Sequence, residues 1–195
     1  MTGLALFLFT TLIDFLLLLL VIRVFSSQWV SEYNQINKAI LVMTDRLLLP
    51  LGKSSNAQRL AIASIMLALM IEFFSSLILF GMNCIKSPGV IDLFALSALS
   101  ILDLILTIFF FSIILHAIFS WLIPNQHSGV SDFIRQMVVP VLNPIRRRLP
   151  IPAGLDFSPF IAIVLIQSVS LIISENITSK MLLDGIVCTN FQHLV

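Results

Sequence analysis

Residues 4–25 read LALFLFTTLIDFLLLLLVIRVF, an apolar run of 22 residues, and about 20 such residues are enough to cross a bilayer as a helix. Seventeen of the 22 are Leu, Ile, Phe or Val, each of which favours insertion by roughly 0.3–0.6 kcal/mol, whereas the single central acid, Asp14, costs about 3 kcal/mol. Because the basic residue Arg23 follows the apolar core of the run, and no A-x-A cleavage site comes after it, we interpret the run as an uncleaved transmembrane span.

The rest of the chain has the same character. Of its 195 residues, 58% are hydrophobic and 11% are charged, against about 25% charged residues in a soluble domain. Three further apolar runs of sufficient length lie at roughly 59–80, 99–122 and 158–180, although the start of the third is uncertain because 91–100 continues its pattern. We therefore predict an all-α membrane protein with four transmembrane helices and no separate soluble domain.

The basic residues are distributed unevenly among the connections between these spans. Only Lys86 and Lys180 lie outside the first and third connections and their borders, which hold the other nine: Arg23, Lys38, Arg46, Lys53, Arg59, Arg135, Arg146, Arg147 and Arg148. Loops rich in Lys and Arg stay in the cytoplasm. We therefore predict that loops 26–58 and 123–157 are cytoplasmic and that both termini are periplasmic. The net charge of +1 gives no reason to expect contact with nucleic acid.

The chain reads as two similar halves, residues 1–85 and 86–195, and each half runs from a span through an amphipathic stretch and a turn to a second span. The stretches carry apolar residues at helical spacing: Tyr33, Ile36, Ile40, Met43 and Leu47 in the first half, and Val130, Phe133, Ile134, Met137, Val138 and Val141 in the second. Helices of this kind lie in the membrane interface or pack as core against the spans, and the sequence leaves both readings open. The shared direction of the halves predicts a parallel repeat.

The stretch PVLNPIRRRLPIP, residues 140–152, concentrates positive charge between prolines. Prolines interrupt helices, so three arginines are expected on a stiff non-helical loop at headgroup depth: Arg146, Arg147 and Arg148. Ser158 and Pro159 are predicted to be the N-cap and the first residue of the fourth span. One possibility is that the turn only orients and anchors the protein. The other is that the three arginines, with Trp121 and Pro144, also bind a lipid headgroup or an acidic partner segment.

Two acids are predicted near the middle of the bilayer. At 1.5 Å per residue, Asp14 and Glu72 lie roughly 13–20 Å inward from Arg23 and Arg59. An ionisable group at that depth is a candidate functional residue, and two carboxyl groups that face each other can share a proton. They are the basis of an alternative function as a channel or transporter subunit. We favour a structural contact, because no Gly or Pro breaks any span in its middle, as transporter helices often require.

Other polar residues of the spans are expected to serve packing. Glu72 belongs to a stripe of small residues that let helices approach closely, so it is expected to face a neighbouring helix; the stripe is Ala57, Ala61, Ser64, Ala68 and Ser75. The fourth span carries a polar line that is also expected to pack: Gln167, Ser170, Ser174 and Thr178. Asp103 and Glu175 are predicted near the outer boundary of the bilayer, where snorkelling accounts for them.

We predict no cofactor, no metal and no enzymatic activity. His116 is the single histidine within a span, no C-x-x-C-H haem motif occurs, and we find no nucleophile with an ordered base and no phosphate loop. Trp29 and Trp121 are expected at the cytoplasmic interface as belt aromatics. Cys84 and Cys188 are both predicted on the outer side, where an oxidising periplasm permits a disulfide, but the sequence does not give the distance between them.

The second half carries an ordered motif: His116-Ala-Ile-Phe-Ser-Trp121, Pro140-Val-Leu-Asn-Pro144-Ile-Arg146-Arg147, Leu149-Pro150 and Gly154-Leu-Asp156-Phe-Ser158-Pro159. It resembles the YGGT family of small bacterial and plastid membrane proteins, although His116 stands where the family usually has Arg. The first half resembles a degenerate unit that keeps Arg23, Trp29 and Pro50 but has Gly52-Lys53 in place of the arginine pair.

This resemblance implies four spans in two units, a location in the bacterial inner membrane and no known enzymatic activity. It also implies a link to osmotic tolerance, to division and chromosome or nucleoid distribution, or to cytochrome assembly in plastids. Together with the residues above, it predicts a scaffold or assembly factor that engages anionic headgroups or a membrane protein partner. The sequence leaves the oligomeric state open.

Overall fold

Helices account for most of the chain. A computed structural model of the protein describes residues 2–48, 57–83, 88–122, 128–148 and 157–183. These ranges form six helices: α1 (Thr2–Trp29), α2 (Gln35–Leu48), α3 (Ala57–Asn83), α4 (Val90–Leu122), α5 (Gly129–Arg146) and α6 (Ser158–Leu183). Four of them, α1, α3, α4 and α6, are long and apolar enough to cross a membrane. The prediction of an all-α protein with four candidate spans is therefore confirmed.

The third candidate span begins well before its most apolar part. α4 is continuous from Val90, so the uncertain stretch 91–100 belongs to the same helix, and Leu93 and Leu96 in it are buried against Phe80 of α3. At 1.5 Å per residue its 33 residues extend about 50 Å. Since the hydrocarbon layer is about 30 Å thick, α4 is either strongly tilted or projects beyond that layer.

The candidate spans form a bundle in which α1 packs on α3, α3 on α4, and α4 on α6. Small residues make the first contact close: Ala61, Ser64 and Ala68 of α3 are buried, and Ala68 packs with Leu17 and Leu20 of α1. This confirms that the predicted stripe of small residues faces into the bundle. Helices in a membrane approach one another most closely along such stripes.

The two shorter helices, α2 and α5, lie at the same end of the bundle, which we call the α2–α5 end. They contact each other directly. The backbone N–H of Ser31 donates to Oε1 of Gln136 on α5 at 2.7 Å, and Nδ2 of Asn34 donates to the carbonyl of Gly129 at 2.9 Å. These two hydrogen bonds join the connection after α1 to α5, so the two halves of the chain are tied together at this end.

The helix α5 corrects one expectation, because it runs without a break through Pro140 and Pro144 as far as Arg146. Each proline inside a helix costs about 3 kcal/mol through its missing N–H and its ring. The helix buries five apolar side chains, each worth about 1.5–3 kcal/mol, and this outweighs the two prolines; they are Phe133, Ile134, Met137, Val138 and Leu142. Arg146 is therefore the last residue of the helix, and Arg147 and Arg148 form the turn that directly follows it.

A short polar side chain sets the start of α5 but not that of α6. Ser128 caps α5 and accepts a hydrogen bond from the N–H of Ser131, whose hydroxyl in turn accepts from the N–H of Ser128. α6 begins one residue earlier than predicted, because the carbonyl of Phe157 already accepts the N–H of Ile161 at 3.2 Å. Ser158 is therefore the first helical residue and not the N-cap.

Candidate functional site

A buried arginine joins α1 to α2 at the α2–α5 end. Arg23 is 2% exposed, and its guanidinium donates from Nη1 to the carbonyl of Leu41 at 3.0 Å and to Oγ1 of Thr44. Its Nη2 donates to Oδ1 of Asp45 at 2.6 Å. The hydroxyl of Thr44 in turn donates a hydrogen bond to the carbonyl of Ile40 at 2.6 Å. One side chain of α1 thus grips a full turn of α2, and we call this contact the Arg23 clamp.

Beyond the Arg23 clamp, the polar side of α2 also contacts the residues that directly follow α1. Asn37 is buried, and its Nδ2 donates to the carbonyls of Val30 at 3.2 Å and Ser31 at 3.3 Å. Asn37 Oδ1, an acceptor, and Arg23 Nε, a donor, are buried atoms that have no hydrogen-bond partner in the described ranges. Burying polar groups is favourable only where hydrogen bonds replace those to water, and the bonds of Arg23 and Asn37 supply most of that replacement between α1 and α2.

The three adjacent arginines at the end of α5 take two different environments. Arg146 is half-buried, and its Nε donates to Oγ of Ser158, which is buried at the start of α6, at 3.2 Å. Arg147 and Arg148 are exposed, and their backbone N–H groups bond to carbonyls of the last turn of α5. Cations are favoured at this end of a helix because its dipole is negative there. Arg146 therefore fixes the end of α5 to α6, and its two neighbours point outward from a rigid position. Pro144 is exposed beside them.

The two predicted acids of the spans lie close to each other. Glu72 is half-buried and receives hydrogen bonds from Ser76 of its own helix and from Ser100 of α4, and the carboxyl of Asp14 is near enough for the two charges to interact. The expectation that Glu72 faces a neighbouring helix is therefore confirmed. Asp14 itself is exposed on the outer surface of α1.

A third acid, Asp103, differs from its prediction. It lies thirteen residues into α4, and Ser170 of α6 donates a hydrogen bond to its Oδ1. It thus joins α4 to α6 and is not explained by snorkelling to the boundary. Of the predicted polar line on α6, Ser170 serves packing, whereas Gln167 is exposed on the outer surface. Together, Glu72 and Asp103 provide one polar contact on each side of α4.

Several predicted residues stand apart from these contacts. His116 is half-buried in α4, and no group of three or more His, Cys, Asp or Glu residues that could hold a metal ion occurs in the part of the chain that the structure describes. Trp121 lies in the last turn of α4, but its side chain is outside the described part. Cys84 and Cys188 also lie outside the described residues, as does the stretch 149–156 of the basic turn.

The Arg23 clamp is the main feature that the sequence does not predict, since there Arg23 serves as an orientation signal and as a residue that the first half keeps from the family motif. A signal was present in α2: Asn37 and Thr44 are seven residues apart, so they lie on one face of the helix, and Asp45 follows. Two polar residues on one face of a helix that is otherwise rich in Ile, Leu, Val and Met indicate a polar partner on that side.

Four long apolar helices, with polar contacts joining them in the middle and at one end, define a multi-pass α-helical membrane protein. A family model described as CCB3/YggT matches residues 95–177, which extend from within α4 to within α6. The chain is 28% identical over 186 residues to the "Uncharacterized protein YggT" of Escherichia coli K12, covering 92% of this chain and 95% of that protein. These matches show that the chain is similar to the CCB3/YggT family.

Two further relatives are similar over much of their length. The "Uncharacterized protein PA0392" of Pseudomonas aeruginosa is 29% identical over 179 residues, which cover 90% of each chain. An "Uncharacterized protein" of Haemophilus influenzae is 29% identical over 138 residues, 70% of this chain and 72% of its own. No solved structure matches the chain. The names of these relatives assign no activity to them.

Proposed function

We propose that the protein is a non-catalytic membrane scaffold, in two parallel units, whose α2–α5 end faces the cytoplasm and engages anionic lipid headgroups. The observation that carries this proposal is that the three arginines at the end of α5 differ: one is paired with α6, and two are exposed. Arg146 is committed to Ser158, so Arg147 and Arg148 are presented outward from a fixed point. Near an anionic surface each such cation gains about 1 kcal/mol.

The exposed side of α2 supports the same proposal. Val42, Met43 and Leu47 are exposed on a helix that also presents Lys38 and Arg46 to the outside. Exposed apolar side chains next to basic ones are typical of helices that lie in the interface of a membrane with anionic lipids. The scaffold would therefore meet the bilayer surface at two places, through α2 and through the end of α5. If this surface also gathers partner proteins at the membrane, the identity of those partners would determine whether the protein serves osmotic tolerance, division or cofactor assembly.

Native mass spectrometry of the purified protein, with phosphatidylglycerol and phosphatidylcholine in competition, tests the headgroup proposal. The double substitution Arg147→Ala/Arg148→Ala is expected to lower the preference for the anionic lipid by up to roughly 30-fold, since two contacts of about 1 kcal/mol are lost. The matched control is Arg135→Ala, because Arg135 is an exposed arginine of the same helix whose Nη2 is already paired with Asp132 at 3.1 Å. An equal loss in both variants, or in neither, would contradict the proposal.

A path for protons or ions is the second candidate, because Asp14 and Glu72 lie close together within the candidate spans. The scaffold proposal expects no flux through liposomes that contain the purified protein. Flux that is present in the parent protein and lost in Asp14→Asn or Glu72→Gln would favour the path over the scaffold. The control is Asp103→Asn, which alters an acid that is bonded to Ser170.

A further inference from the structure

The helix α2 runs back along α1 toward the opposite end of the bundle. Asn37, near the start of α2, donates hydrogen bonds to the carbonyls of Val30 and Ser31, just past the end of α1. Seven residues further along α2, Thr44 accepts a hydrogen bond from Arg23, which lies seven residues before Val30. Contacts with this spacing on both helices, in reversed order, show that α1 and α2 are close to antiparallel over about 10 Å.

The level of α6 relative to α1 follows from two contacts of α4. The rings of Phe25 on α1 and Phe109 on α4 touch, with their centroids 4.9 Å apart. Asp103, six residues before Phe109, accepts a hydrogen bond from Ser170 of α6. As successive spans, α1 and α4 run in the same direction and α6 runs against them. At about 1.5 Å per residue, Ser158 at the start of α6 is therefore level with the connection that follows α1.

The helix α5 lies across the bundle at that level. Oε1 of Gln136 accepts the N–H of Ser31 in the connection after α1, and ten residues further on Arg146 donates to Ser158. Because Ser31 and Ser158 are at similar levels, α5 extends for about 15 Å between these contacts with little change of depth. The two amphipathic helices thus have different orientations: α5 is nearly perpendicular to the candidate spans, whereas α2 is nearly parallel to them.

The edge of the hydrocarbon layer falls near Arg23. The candidate span of α1 begins at Leu4, and the stretch from Leu4 to Arg23 extends about 30 Å, which is the thickness of that layer. Arg23 is paired with Asp45, whose side chain is 60% exposed, and such a pair is least costly at the edge, where headgroups and water reach it. Since Thr44 is level with Arg23, the last turn of α2, which includes Leu47, lies about 5 Å inside the layer.

We propose that α2 is a wedge that inserts its C-terminal turn among the acyl chains of the leaflet at the α2–α5 end, so that the protein favours a leaflet that is loosely packed or convex. The side chains exposed at this depth fit acyl chains, because Met43 at the edge and Leu47 inside it are apolar. Arg46 is exposed as well, and its long side chain reaches back to the headgroups.

The preference for a convex leaflet follows from the asymmetry of the insertion. A helix is about 10 Å wide, and α2 adds this width to one leaflet alone. Convex bending or loose packing of that leaflet supplies the area, as it does for other amphipathic helices that insert at the interface. The inference rests on the proposed contact of α2 with the bilayer and not on the binding of anionic headgroups.

The depth of labels along α2 tests the insertion. In a Cys84→Ser/Cys188→Ser background, a nitroxide is attached to Lys38→Cys, Val42→Cys or Leu47→Cys in phosphatidylcholine vesicles, and its collisions with oxygen and with a water-soluble nickel chelate are measured. Depth is expected to increase from the first site to the last by about 13 Å, which is nine residues at 1.5 Å each. Equal depth at the three sites would mean a flat helix and would overturn the proposal. Shielding of the last two sites from both reagents would mean a protein partner or a second copy, and would overturn it too.

Labels on α5 provide the matched control for orientation. Arg135→Cys and Asn143→Cys place nitroxides at two exposed positions of α5 that are eight residues apart. Both are expected at one depth, outside the hydrocarbon layer, because α5 lies across the spans. A depth gradient along α5 as steep as that along α2 would remove the difference between the two helices, and the proposal with it.

The orientation of the protein in small and large phosphatidylcholine vesicles tests the preference for a convex leaflet. The share of copies whose α2–α5 end faces outward is read, in the same background, from the reaction of Arg135→Cys with a membrane-impermeant maleimide. This share is expected to be larger in small vesicles, whose outer leaflet is more convex, and the difference should disappear in Met43→Ser/Leu47→Ser. Val130→Ser, which changes an exposed apolar residue of α5, is the matched control and should keep the difference.

Two results of this experiment would contradict the wedge: the same share at both vesicle sizes in the parent protein, or an equal loss of the difference in Val130→Ser. Circular dichroism checks that helical content is unchanged in each variant. Because phosphatidylcholine carries no net charge, the outcome is separate from that of the competition between anionic and neutral lipids, and either proposal can fail while the other stands.

Discussion

The helices α2 and α5 touch each other at one end of the bundle, but they are held there by opposite kinds of side chain. α5 presses its apolar side into the core, with Met137 and Val138 among its buried residues. α2 presses Asn37 and Thr44 against α1. Only part of the apolar side of α2 is buried: Ile36 and Ile40 pack against the core, whereas Met43 is 58% exposed. A similar amphipathic pattern is thus buried in the second half of the chain and partly exposed in the first.

The difference follows from what each helix meets. α5 lies across α1, α4 and α6, whose side chains at that place are apolar: Val21, Ile108, Ile113 and Ala162 belong to the same buried cluster. α2 meets the stretch of α1 that carries Arg23 and Ser26, both fully buried. A buried guanidinium needs hydrogen-bond acceptors, so the helix that covers it turns its polar residues inward. The Arg23 clamp thus determines which face of α2 remains outside.

The largest expected effect separates the two apolar stripes. Met137 of α5 is 2% exposed, and Met137→Ala should destabilise the protein by about 2–5 kcal/mol through lost contacts and a cavity. Met43→Ala, the same change in the stripe of α2, should cost less than about 0.5 kcal/mol in detergent because its side chain is exposed. Unfolding of both variants in one detergent gives the two values. Similar losses of stability in the two variants would show that Met43 is buried like Met137, and that α2 and α5 do not differ in this respect.

An intermediate effect is expected from the Arg23 clamp. Thr44→Val keeps the shape of a fully buried side chain but removes the hydroxyl that joins Arg23 to the carbonyl of Ile40. Leaving a buried donor without its acceptor costs about 1–3 kcal/mol. Hydrogen exchange should then become faster in α2 and remain unchanged in α5. The control is Thr10→Val on α1, whose hydroxyl bonds its own helix; faster exchange in α5 as well would mean that the clamp does not act on α2 alone.

Much of this architecture could be predicted from the sequence, because apolar length decides which segments can cross a membrane. The buried face of α3 could also be predicted, since Ala61, Ser64 and Ala68 follow helical spacing. The orientation of α2 was not, because periodicity shows where apolar residues lie but not whether a buried charge on a distant segment will draw the polar face inward. The continuity of α5 through Pro140 was missed for a related reason: local proline rules omit the apolar burial that offsets them.

The smallest expected effect concerns the ion pair of the Arg23 clamp. Asp45 is 60% exposed although its partner Arg23 is buried, so water and salt screen the pair and reduce its value to about 1 kcal/mol or less. Asp45→Asn keeps an oxygen that can accept from Nη2 and should therefore destabilise α2 less than Thr44→Val does. Hydrogen exchange at low and high salt measures both. The parent should lose its advantage over Asp45→Asn at high salt, whereas the Thr44→Val effect should persist because a buried hydrogen bond is not screened. If Asp45→Asn proved the more damaging of the two, the exposed charge and not the buried hydroxyl would be what holds the polar face of α2 inward.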